Sequence, residues 1–127
     1  MVKNTASRWG TRAKVLHWLI ALMILVEVPV GFVMAYTYGA SFKDENMLAL
    51  HNLMAQIHIT NGLCILILVV YRLSWRFRNR VPDLPSALQI YQKWLARLTH
   101  GTLYGLLIIM PLSGWAANSV LGDTEQF

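Results

Sequence analysis

Charge is what this sequence has least of. Only 13% of its 127 residues are Asp, Glu, Lys or Arg, about half the share found in a soluble globular domain. Hydrophobic residues make up 56% and the mean hydropathy is +0.45, so the shortage of charge reflects an apolar solvent. Cysteine is almost absent too. Cys64 stands alone in an apolar run, which excludes a disulfide framework within the chain. No carboxylates or thiols converge with the histidines, so a zinc-type centre is not expected either. There is no internal repeat and no low-complexity segment. The length suits one domain of three or four spanning helices with no separate soluble domain.

What is present is three long apolar runs. The first covers residues 15–36, the second 48–71 and the third 98–117. Each is about the 20 residues needed to cross a hydrocarbon core of roughly 30 Å. A basic start followed by an apolar run also describes a signal peptide. The apolar core of such a peptide is only about 7–15 residues and ends at a small-residue cleavage site, which is missing here. The run is therefore read as a retained first span, with Pro29 late in it as a candidate kink. Pro82 and Pro85 break the connection between spans two and three, and the part from Ser86 onward reads as an interfacial helix. Trp75 and Trp94 flank that connection as interface anchors would.

The eleven basic residues are distributed unevenly. Lys3, Arg8, Arg12 and Lys14 precede the first span. Only Lys43 lies in the first loop. Arg72, Arg76, Arg78, Arg80, Lys93 and Arg97 lie in the second connection, and the tail has none. The net charge of +5 is thus a topology signal, and no nucleic-acid partner is expected. The N-terminus and second connection are expected in the cytoplasm, and the first loop and tail outside.

Helix rise of about 1.5 Å per residue converts position into depth. His17 and His100 each lie three residues in from a basic boundary residue, Lys14 or Arg97, and so about 4–5 Å inside the inner edge. His58 is fourteen residues from Arg72, roughly 21 Å from that edge and near the outer face. His51 is two turns further out on the same helical face. Two histidines on one face of one helix cannot clamp opposite sides of a flat ligand. Small residues lie close to these histidines: Ala21 after His17, Gly62 after His58, Gly101 and Gly105 after His100. They let a helix or a flat macrocycle approach the backbone. Asn61 adds a polar group on the His58 face.

Ionisable groups inside a bilayer are costly and point to function. Imidazoles at two depths with open space around them suit haem, whose iron is commonly held axially by histidine. The plainer alternative is an interhelical hydrogen bond worth under about 2 kcal/mol. For His17 and His58 the ligand role is preferred, His100 stands between ligand and packing roles, and His51 is read as interfacial. The glycines of span three are most simply helix packing. Glu27 lies at the depth of His58. It is protonated, pairs with another helix, or faces the outer loop; its functional reading is a proton-handling group beside an outer redox or quinone site. The arginines are first of all topology determinants, Arg72 being the best placed to meet a cofactor propionate.

Three segments carry a resemblance to a known family. LHWLIALMIL, IHITNGLCILILVVYRLSWR and LTHGTLYGLLIIMPLSGW, in this order and topology, resemble the bacterial cytochrome b561 family. That family is related to the b-type cytochrome subunits of nickel–iron hydrogenases and formate dehydrogenases. The similarity extends over roughly residues 8–118. It implies an all-α integral membrane bundle of four helices with two b haems, one near each face. The expected activity is electron transport between a quinone pool and another redox partner in a respiratory chain. By motif match His17 ligates the inner haem iron and His58 the outer one, and His100 matches a family histidine whose role stays open. Some members are superoxide oxidases that reduce ubiquinone, which is the enzymatic alternative. A haem-free membrane fragment is the other. The chain shows three of the four spans, so either it is a truncated product or a fourth helix is expected from elsewhere, a second copy or a separate chain.

Overall fold

The computed structural model describes residues 3–122, with three helices and no strand among them. Helix α1 runs Thr11–Ser41, α2 Glu45–Arg78 and α3 Ile90–Gly122. At 31, 34 and 33 residues each is about 45–50 Å long, well beyond the hydrocarbon core. The apolar runs mark only the middle of each helix, because their polar ends continue into the headgroup layers. Pro29 and Pro111 both lie inside helices.

The helix ends follow from local chemistry. Asp44 caps α2: its Oδ1 accepts from the backbone N–H of Asn46 at 2.8 Å and of Met47 at 3.3 Å. Glu45 in the first turn and Arg76 and Arg78 in the last complement the helix dipole. Asn79 closes α2 by donating both its backbone N–H and its side-chain Nδ2 to Trp75 O, at 3.0 and 2.9 Å. At the start of α3, Gln92 Oε1 reaches back to the Gln89 N–H at 2.9 Å, half of a capping box. No separate interfacial helix forms from Ser86. Residues 86–87 are a turn, and α3 runs unbroken from Ile90 through Arg97. With no proline between Pro85 and Pro111 and a cap at Gln89, nothing stops the helix at the membrane edge.

Helix α2 is central. It runs antiparallel to α1 along most of its length, and α3 packs on its second half. Ile20, Ile65 and Val69 form the buried core, covered by Met23, Ile24, Leu68, Tyr104, Leu107 and Ile108. Few other side chains are buried, whereas Leu25, Phe32, Ile67, Ile109 and Met110 are at least 62% exposed. Apolar surface on this scale is untenable in water but matches lipid. All three helices are long and apolar enough to cross a membrane, and the protein is a multi-pass membrane protein. Gly101 and Gly105 do not serve as a packing face among the described residues, since a Cβ on either would meet nothing within 4 Å.

The two basic blocks meet at one end of the bundle. The Asp83 N–H donates to Ala6 O at 3.1 Å, and the Arg12 guanidinium lies 4.5 Å above the Trp75 ring. The short α1–α2 turn forms the opposite end.

Candidate functional site

Toward the turn end, α1 and α2 are joined by polar side chains. Glu27 Oε1 lies 2.8 Å from His58 Nδ1. The oxygen is off the ring's N–H direction, so the contact is a close polar approach rather than a linear hydrogen bond, and Nδ1 has no hydrogen-bond partner among the described residues. A lone pair facing a carboxylate would be repelled, so the ring's hydrogen belongs on Nδ1. That leaves Nε2 with a free lone pair. The other carboxylate oxygen, Oε2, accepts from Asn61 Nδ2 at 2.7 Å, and the same amide donates to Met23 O at 3.1 Å.

Two glycines make room for this contact. A Cβ on Gly62 would lie 3.2 Å from Glu27 Oε1, and one on Gly31 would lie 3.3 Å from His58 Cε1. Gly62 was expected as the opening on the His58 face. Gly31 comes from the facing helix, one turn after Glu27, and sequence reasoning missed it. Asn61 also borders an open groove on α2 with Gln56, Ile57, Thr60 and Cys64.

At the arginine-rich end the arrangement differs. Arg72 Nη1 is 2.9 Å from His17 Nδ1. A guanidinium only donates, so Nδ1 is the accepting nitrogen and Nε2 carries the hydrogen. His17 thus presents an N–H where a metal ligand would present a lone pair. His100 resembles His58 instead: its Nδ1 donates to Ala96 O at 2.6 Å, leaving Nε2 free. Arg72 and Arg76 both flank the Tyr104 ring, at 6.0 and 5.8 Å. The Tyr104 hydroxyl and Trp75 Nε1 are buried without a partner.

The contacts bear on the depth reading. Glu27 ties His58 to a level ten residues along α1 from His17, or about 15 Å. His51 lies on the His58 face of α2. Its Nδ1 donates to Met34 O at 3.0 Å and lies 3.2 Å from Thr37 Oγ1, which fixes it structurally to α1. Arg72 holds His17 toward the arginine-rich end and Glu27 holds His58 toward the turn end, so these two histidines stand at separate levels of the bundle. No group of three or more His, Cys, Asp or Glu side chains suited to a metal ion occurs among the described residues.

A membrane bundle with histidines at two depths, one of them paired with a carboxylate through Nδ1 and leaving Nε2 free, has the features of a membrane-embedded histidine-ligated cytochrome. The sequence model of prokaryotic cytochrome b561 matches residues 8–126, and the chain belongs to that family. Family membership implies a membrane b-type cytochrome that transfers electrons, with b-type haem as its cofactor. No curated protein and no solved structure gives a significant match. The donor chemistry fits haem at His58 and His100. At His17 it fits only once Arg72 has left Nδ1.

Proposed function

We propose that this chain carries electrons between a quinone pool and a second redox partner in the bacterial inner membrane, its N-terminus in the cytoplasm. The observation that carries the reading is the occupation of His58 Nδ1 by Glu27, which leaves Nε2 as an iron ligand. His58 would hold the outer haem, and His17 and His100 would hold the inner one. Bound haem supplies the one-electron couple, tuned by its axial ligands and their surroundings.

The chain's own residues hold, orient and shield. Gly31 and Gly62 permit the close approach of Glu27 and His58. Asn61 fixes the carboxylate, and the exposed apolar helix faces contact lipid. Arg72 occupies His17 as the side chains stand. Pairing of its guanidinium with a cofactor carboxylate would release Nδ1 and place a cation at the inner surface. A superoxide oxidase would gain from a basic outer surface, but the turn sets Lys43 against Asp44 and Glu45, so electron carriage is preferred.

The test is a reduced-minus-oxidised spectrum of membranes containing the protein, with protein amount fixed by immunoblot. A b-type signal that falls in His58→Ala is expected. Absence of any such signal with the protein present would overturn the proposal in favour of a haem-free assembly partner.

A further inference from the structure

Glu27 and His58 bring two ionisable side chains within 2.8 Å of each other in the membrane interior. A carboxylate is an expensive way to join two helices. An acidic side chain at a helix centre costs about 2.5–3.5 kcal/mol on insertion scales, and an interhelical hydrogen bond returns under about 2 kcal/mol. Asn61 already bridges α2 to α1 through Met23 O. Adhesion between the helices therefore does not account for Glu27. What distinguishes its placement is that one carboxylate oxygen faces a single atom, His58 Nδ1, while the other is tied down by Asn61. Glycines border the contact on both sides, Gly62 against Oε1 and Gly31 against the ring. With only 16% of its side-chain surface exposed, the carboxylate is shielded more than the imidazole at 37%.

We propose that Glu27 is the positioning residue of His58: held by Asn61, it fixes the imidazole as its Nδ1–H tautomer, leaves Nε2 as the ligand atom, and makes that nitrogen a more basic ligand. The proposal rests on the reading of His58 as an iron ligand. Its physical basis is general. A histidine ligand nearly always gives its other N–H to a carboxylate, carbonyl or water, which sets tautomer, orientation and basicity. Glu27 offers that acceptor from the neighbouring helix, its Oε1 2.8 Å from Nδ1 though off the N–H line. Asn61 keeps the carboxylate from turning toward any other donor. A more basic ligand favours the oxidised over the reduced metal, so Glu27 lowers the midpoint potential of the site His58 serves.

Two measurements test this, one of them without haem. In protein labelled with nitrogen-15 histidine and reconstituted in bilayers before haem loading, the His58 signal is assigned by its loss in His58→Gln. The wild type is expected as the Nδ1–H tautomer. Glu27→Leu is expected to move the tautomer ratio about tenfold toward a mixture, and Glu27→Gln to give a ratio between the two, because its one amide oxygen is shared between His58 and Asn61. In haem-loaded protein, Glu27→Gln keeps the cofactor and raises the midpoint potential. A tenfold change in the oxidised-to-reduced preference is about 59 mV for one electron. Glu27→Leu loses the haem that depends on His58. Matching helix content and melting of the solubilised variants separates these effects from misfolding.

A wild-type tautomer in Glu27→Leu, or an unchanged potential in Glu27→Gln, overturns the positioning role while His58-dependent haem still stands. A haem signal indifferent to His58→Ala overturns the ligand reading, and this proposal with it, even where Glu27 sets the tautomer.

Discussion

Asn61 shows how much a single side chain can settle in a bilayer. Its amide donates to both Glu27 Oε2 and Met23 O, so Asn61→Leu leaves two acceptors on α1 unmatched. Interhelical bonds of this kind are worth about 0.6 to 2 kcal/mol each. Unfolding of the solubilised protein by titration with a denaturing detergent should show Asn61→Leu less stable by about 1–2 kcal/mol. Gly31 provides a second case. A single methyl group there lies 3.3 Å from the His58 ring, close enough that the ring must shift by a few tenths of an ångström. Gly31→Ala should therefore change stability by no more than about 1 kcal/mol, the gain in helix propensity offsetting the crowding. Gly31→Leu has no such room; it should displace His58 and lower bound haem as His58→Ala does, measured against protein content. Sequence alone placed Glu27 and His58 at one depth, because depth needs only the helix rise. Their pairing was not legible in the same way. It depends on how α1 and α2 are rotated against each other, and rotation is fixed by packing around Ile20, Ile65 and Val69. The same gap hid Gly31, which faces His58 across the helix pair. Arg72 against His17 was hidden for a different reason: a long side chain can reach several levels, so its boundary position does not choose its partner.

The helices were legible from three apolar runs, but their ends were not. Hydropathy records where lipid begins, whereas a helix stops where its terminal N–H and C=O groups find other partners. That is why α2 continues to Arg78 and α3 begins at Ile90, outside the apolar spans. Asp44 is the clearest of these determinants. It lies in a short turn and satisfies two N–H groups of α2. Asp44→Ala should cost about 1 kcal/mol locally. The amides of Asn46 and Met47 should then exchange with solvent about fivefold faster, read by hydrogen exchange in lipid discs, with the centre of α2 unaffected. The Leu48 N–H to Asp44 O bond is independent of the side chain and should keep its protection. Loss of protection along the whole of α2 would mean that the turn does more than start the helix.

For the whole molecule, α2 orders the other two helices, and the polar contacts it makes with α1 climb in opposite directions along the pair: Arg72 to His17, Asn61 to Met23, His58 to Glu27, His51 to Met34. That antiparallel register separates an arginine-rich end from a turn end. It was legible in outline from the eleven basic residues, because charge asymmetry needs no knowledge of packing. What charge counting did not provide was the physical closeness of the two basic blocks. The Asp83 N–H to Ala6 O bond and the Arg12–Trp75 stack bring them into one surface, and like charges gathered there are tolerable only beside anionic headgroups or water. The proposed orientation rests on this: segments joined by a backbone hydrogen bond lie on one side of the bilayer, and positive charge favours the cytoplasmic side. Single cysteines at exposed positions in a Cys64→Ser background test it. With a membrane-impermeant maleimide on intact spheroplasts, Lys43→Cys should be modified, while Ser7→Cys and Ser86→Cys should react only after the membrane is opened. Ser7→Cys and Ser86→Cys on opposite sides would break the three-span topology itself. The two protected positions becoming the accessible ones, with Lys43→Cys protected, would keep the topology and invert it, moving the Glu27–His58 site to the cytoplasmic half of the membrane.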